Sequence, residues 1–156
     1  MTRALHAMLL RSLLLLALAV PVRAAGAEIA NDRKVVEGMA FYLGVMPTEL
    51  VRGHPTGHTE REMHGGPPSR AWDYHVMVAI FDAATGERIT DAKVEALVET
   101  PGLGGQKRPL DRMQIAGTLT YGNYFRMGGS GPFPIVLQVS RPGLPTAEVR
   151  FDHRHR

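Results

Sequence analysis

Past residue 38 the apolar positions fall in short runs, each closed by Gly, Pro, Asn or Asp, and no stretch of helical length repeats at 3.6 residues. The runs lie at 39–46, 74–81, 93–98, 113–116, 119–126, 133–139 and 147–151, the fourth of them weak. In the second run Val76, Val78 and Ile80 share one face and His75, Met77, Ala79 and Phe81 the other, as the two-residue period of a strand requires. Apolar side chains on both faces predict a central strand. In the third run Val94, Ala96 and Val98 alternate with Lys93, Glu95, Leu97 and Glu99, which predicts one buried and one wetter face. Seven short strands with turn chemistry between them predict an all-β, immunoglobulin-like antiparallel sandwich. The turns at Asp82-Ala83-Ala84-Thr85-Gly86 and Arg141-Pro142-Gly143 are expected to link successive strands.

The first 27 residues follow a different pattern. Arg3 and Arg11 precede the uninterrupted Leu/Ala/Val run at 13–20, and Ala25-Gly26-Ala27 supplies an A-x-A cleavage site, with Val22-Arg23-Ala24 three residues earlier. Arg11, Ser12 and Pro21 cut the apolar stretch well below the ~20 residues that a membrane helix needs. A cleaved signal peptide over 1–27 is therefore expected, with cut points after Ala24, Ala25 or Ala27. It implies a periplasmic protein with no membrane span after cleavage. No Cys follows the run, so a lipoprotein anchor is excluded. The remaining chain divides into an N-terminal segment at 28–38, a short helix or a frayed arm, and a single sandwich domain at 39–156. Within that domain, 47–71 is a long connection rich in His, Gly and Pro.

Charge changes the picture by subtraction. The chain carries a formal +3, but without Arg3, Arg11 and Arg23 it holds 15 basic and 15 acidic residues, which argues against a nucleic-acid partner. The absence of Cys excludes thiolate zinc, iron–sulfur clusters and a thiol nucleophile. Ser69, Ser130 and Ser140 lie in no nucleophile-elbow context, and Gly102-Leu103-Gly104-Gly105 lacks the Lys-Ser/Thr of a phosphate loop. Glu60 and Glu62 read as solvated loop carboxylates, and Tyr121, Tyr124 and Phe125 as a packed strand corner. No catalytic residue is expected, and the protein reads as a non-enzyme.

What remains is a set of soft donors. Past residue 27 the chain has six His (His54, His58, His64, His75, His153, His155) and six Met. Imidazole with thioether is a pairing that copper accepts and hard cations refuse, the thioether favouring Cu(I). His64 and His75 are the foremost candidate metal ligands, with Met63, Met113 and His153 behind them, while His54 and His58 read as loop surface. A copper ion is the expected cofactor, and a periplasmic or inner-membrane metal-handling protein the expected partner. The competing reading has Met39, Met46 and Met77 as core filler, the C-terminal His residues as a solvated tail, and the domain as a non-catalytic interaction module.

The strand-turn-strand Val78-Ala79-Ile80-Phe81-Asp82 through Thr85-Gly86 to Asp91-Ala92-Lys93-Val94, then Met113, Tyr121-Gly122-Asn123-Tyr124-Phe125 and Phe151-Asp152-His153, resembles the YtkA-like exported bacterial domains. More loosely it is similar to the CopC-like copper-binding sandwiches. The likeness covers about half the chain, from His75 to His155. It implies an immunoglobulin-like sandwich associated with copper or other cation handling, with no catalytic residues to carry over. Met63-His64-Gly65-Gly66 lies outside the matched part.

Overall fold

A computed structural model of the chain describes residues 32–102 and 104–155. The expected signal peptide at 1–27 lies outside the described residues. Eight antiparallel strands form the domain: β1 (Arg33–Val36), β2 (Met39–Pro47), β3 (Asp73–Asp82), β4 (Lys93–Thr100), β5 (Gly104–Ile115), β6 (Thr118–Arg126), β7 (Phe133–Ser140) and β8 (Ala147–His153). Their hydrogen-bonded order is β1-β2-β3-β6-β5-β4-β7-β8. The ladder divides at β5, whose first half pairs with β4 (Val94 opposite Leu110, Thr100 opposite Gly104) and whose second half pairs with β6 (Asp111 opposite Gly122, Ile115 opposite Thr118). Two sheets result, joined through one bent strand. No helix among the described residues is long and apolar enough to cross a membrane.

The core lies between the sheets. Phe41, Val76, Val78, Ile80, Tyr121 and Phe125 come from the first, and Val94, Ala96, Val98, Ile135, Leu137 and Phe151 from the second. All are buried, and their two-residue spacing puts every second side chain of each strand on the inner face. β3 pairs with β2 on one side and β6 on the other, the central place its two apolar faces predicted. The edge strands β1 and β8 approach one another, with Lys34 Nζ 5.4 Å from the centre of the Phe151 ring.

Three expectations are corrected. The arm contributes β1, a strand paired with β2, which makes eight strands instead of seven. The weak run at 113–116 is the end of a twelve-residue strand, β5, most of whose residues are exposed and polar. That strand escapes an apolar-periodicity reading because each half is the edge of one sheet. Pro109 is tolerated there for the same reason, since it needs to donate to no second neighbour. Side-chain amides bridge the split: Gln106 Nε2 donates to the Arg126 carbonyl (2.8 Å) and Asn123 Nδ2 to the Pro109 carbonyl (2.8 Å). Finally, the turn after β3 does not make a β3–β4 hairpin. Asp82 Oδ1 accepts from the amides of Ala84 and Thr85 (2.9 Å each), the chain returns for a single bridge between Phe81 and Arg88, and β4 then joins the other sheet.

The long connection holds structure of its own: α1 (Thr48–Arg52), α2 (Thr59–Glu62) and a 3₁₀ turn at Met63–Gly65. It packs across the outer face of the first sheet, α1 against β2 and β3 and α2 against β5. Thr48 and Val51 are fully buried there, although Val51 belongs to no part of the inter-sheet core. The Arg52 guanidinium donates to the Pro68 carbonyl and closes the cover.

Candidate metal centre

The same alternation that sends Val76, Val78 and Ile80 inward sends His75 to the outer face of β3. On β6, Leu119, Tyr121 and Phe125 enter the core, which leaves Gly122 and Tyr124 outside. Register then fixes the neighbours: His75 stands opposite Tyr124, Met77 and Asp111 flank Gly122, and Met113 stands opposite Thr120. An outer sheet face is normally wet, but the connection covers this one. His75 is fully buried, as are Met113 and Tyr124 nearly so.

Gly122 makes the space. A Cβ at that position would lie 2.9 Å from His75 Nε2, 2.9 Å from Met113 Sδ and 2.7 Å from Met113 Cε. An imidazole nitrogen and a thioether sulfur therefore lean into the one gap that a side chain would fill.

The connection delivers the third donor. His64 sits in the left-handed region (φ 56°), followed by Gly65 and Gly66 at φ 78° and 93°, so the chain reverses sharply where the imidazole enters. A non-glycine residue in this conformation is costly and persists because its surroundings impose it. Its Nε2 lies 3.3 Å from Met113 Sδ and its Nδ1 2.9 Å from Asp111 Oδ2. With Nδ1–H donated to the carboxylate, the Nε2 lone pair is turned toward Met113. This is the tautomer and orientation that a carboxylate partner imposes on a metal-binding histidine. The His64 and His75 ring centres are 5.8 Å apart, and Tyr124 walls the group, 5.5 Å from His64 and 4.8 Å from His75.

His75 is the anomaly. Among the described residues neither ring nitrogen has a hydrogen-bond partner, although both are buried. Such a group costs about 1–3 kcal/mol when left unpaired. Burial, and secondarily the neighbouring His64, lowers its pKa from 6.5 to about 4, so at neutral pH it is an uncharged imidazole with an available lone pair. The donor chemistry fits copper: two imidazoles and a thioether, in a covered pocket with a single carboxylate behind one of them. Among the described residues no three His, Cys, Asp or Glu side chains are arranged so that they could hold a metal ion by themselves; the third donor here is sulfur.

Of the five candidate ligands read from the chain, His64, His75 and Met113 come together. Met63 does not join them by any hydrogen bond among the described residues, and it stays half-buried one residue before His64. His153 is placed elsewhere. It continues the inward phase of Val149 and Phe151 on β8, its ring is 5.4 Å from His155, and His155 stacks on Tyr74 (4.3 Å) and donates from Nε2 to the Met127 carbonyl (2.8 Å). The first sheet separates it from His75. Two contributors were not read from the sequence, Asp111 and Gly122. Each left a trace, Asp111 as a residue two before Met113 on the same strand face, and Gly122 as an isolated glycine inside a strand.

No family model matches the chain, and no curated protein matches it by sequence. Solved structures do. The fold is similar to a copper-bound variant of FetP from uropathogenic Escherichia coli (15% identity, 81% of this chain and 95% of that one, TM-score 0.60). It is also similar to a copper-bound variant of Campylobacter jejuni P19 (13%, 80% and 94%, TM-score 0.60). A DUF4426 family protein from Pseudomonas aeruginosa aligns over 79% of this chain and 92% of its own, at 14% identity and a TM-score of 0.58. At these identities the likeness establishes the sandwich fold, and the chemistry rests on the residues described above.

Proposed function

We propose that the protein is an exported, non-catalytic copper carrier that holds the metal through His75, His64 and Met113, with Asp111 orienting His64. The observation that carries this reading is the buried, neutral and unpartnered His75 imidazole facing the Met113 sulfur across the space left by Gly122. Copper-bound FetP and P19 on the same fold support it. Bound there, copper supplies a soft centre that can be handed to a thioether or imidazole acceptor on another protein. His75 offers a lone pair without competing for a proton, Asp111 keeps the His64 proton on Nδ1, and the cover formed by α1, α2 and the 3₁₀ turn excludes water. The signal-like N-terminus and the Cys-free chain suit an oxidising compartment, where a thiolate site would be consumed by disulfide chemistry. A metal-handling protein of the periplasm or inner membrane is the fitting partner.

Anaerobic competition against a chromophoric Cu(I) chelator tests the assignment. One equivalent should bind, and His75→Leu, Met113→Leu and Gly122→Ala should each weaken it by roughly 100-fold, the last by filling the gap with a single methyl. Affinities within threefold of the parent in all three variants would reject the site.

A further inference from the structure

On the same connection, but on its solvent side, lies a second imidazole pair that the buried centre does not use. His54 Nδ1 and His58 Nδ1 are 3.1 Å apart, and their ring centres 4.2 Å apart. The backbone between them is fixed. The His58 amide donates to the Pro55 carbonyl (3.2 Å) across a turn with Gly57 at φ 88°, and the His54 amide donates to the Val51 carbonyl at the end of α1 (3.2 Å). Arg61 secures the turn from below, its amide donating to the His58 carbonyl (2.9 Å) and its Nη1 to the His54 carbonyl (3.0 Å). His54 is half-buried and His58 exposed.

We propose that His54 and His58 form a second, surface metal site, a cis bis-imidazole chelate for a borderline divalent first-row cation, Cu(II) most strongly. With metal–nitrogen bonds of about 2.0–2.1 Å, two nitrogens 3.1 Å apart subtend about 100° at the metal, between the square-planar and tetrahedral values. Water completes the coordination at this open position. The turn bears the ordering entropy before the ion arrives, because Pro55 and the hydrogen bonds around Gly57 already hold both rings on one side. In the metal-free protein one Nδ1 carries a proton and donates it to the other. On binding, that proton moves to Nε2 of its own ring through solvent, both Nδ1 lone pairs face the ion, and no net proton is released. The Arg61 guanidinium beside the turn limits affinity for a dication. This site differs from the buried centre in donor set and in exposure, with two nitrogens and no sulfur, and does not depend on it.

Titration of the intact protein with CuCl2, read by calorimetry and by nitrogen hyperfine splitting in the Cu(II) resonance spectrum, tests the proposal. His75→Leu should keep one Cu(II) equivalent with two-nitrogen splitting, while His54→Ala/His58→Ala in the same background should lose it, with affinity falling at least 30-fold. His54→Gln/His58→Gln, which keeps polarity and the turn, should behave like the alanine pair. A Cu(II) affinity and spectrum in His54→Gln/His58→Gln within threefold of the His75→Leu parent would overturn it, as would a His75→Leu protein that binds no Cu(II).

Discussion

Two regions of this domain are equally dry and chemically opposite. Between the sheets, Phe41, Val76, Ile80, Ile135, Leu137 and Phe151 fill space with hydrocarbon and leave no polar atom to satisfy. Across β3, under α1, α2 and the 3₁₀ turn, burial is just as complete at His75 and Val51, yet it encloses nitrogen and sulfur donors beside a glycine-made gap. The first region is dry because folding gains by it. The second is dry at a cost, since the His75 nitrogens give up water without receiving a partner. A fold retains such a group where the group does something other than stabilise.

Truncation in the core should give the largest effect. Phe41→Ala should lose about 3–5 kcal/mol in urea unfolding while any molecules still folded keep their copper affinity, because Phe41 faces away from the donors. Acid comes next, and it acts on the outer region. His75 takes its proton at about 4 in the folded protein and near its ordinary 6.5 when unfolded. The unfolded chain therefore binds more protons between those values, so stability is full above about pH 6.5 and falls toward pH 4, by on the order of 3 kcal/mol. Urea midpoints from pH 7.5 to 4 should show this loss, and the part due to His75 should vanish in His75→Leu.

That substitution sharpens the contrast further. Replacing an unpartnered imidazole by a hydrocarbon of similar volume should raise metal-free stability at pH 7 by about 1–2 kcal/mol while Cu(I) affinity at the buried centre falls by roughly 100-fold. A destabilised His75→Leu protein would mean that the outer region is ordinary core. The smallest expected effect is that of Asp111→Asn. Its side chain is 59% exposed, so stability should barely move, but copper affinity should fall about tenfold, about 1.4 kcal/mol, as the His64 tautomer loosens. Equal affinity in Asp111→Asn would remove Asp111 from the site and leave His64 oriented by Met113 and Tyr124 alone.

Much of this was legible in one dimension. Alternation in β4 placed its inner face correctly, and that His75 and Met77 point away from Val76 and Val78 follows from period-two geometry alone. β5 was hidden because an edge strand at a sheet junction need not be apolar on either face, and β1 because four residues at the start of the domain carry almost no pattern. The donor types, His and Met without Cys, could also be read directly, and they narrow the chemistry to soft metals before any coordinate is known.

Which donors meet is a different kind of fact. His64 and His75 lie 11 residues apart and Met113 another 38 beyond, and along the chain Met63 and His153 stood as candidates beside Met113. Only the pairing of β3 with β6 and of β6 with β5, and the folding of the connection over that outer face, put three of the five around Gly122 and left His153 on the other side of a sheet. Local sequence determines which way a side chain points from its strand. Strand partners, and the segment that covers them, are chosen by the free energy of the whole core, and that choice determined where the donors converge.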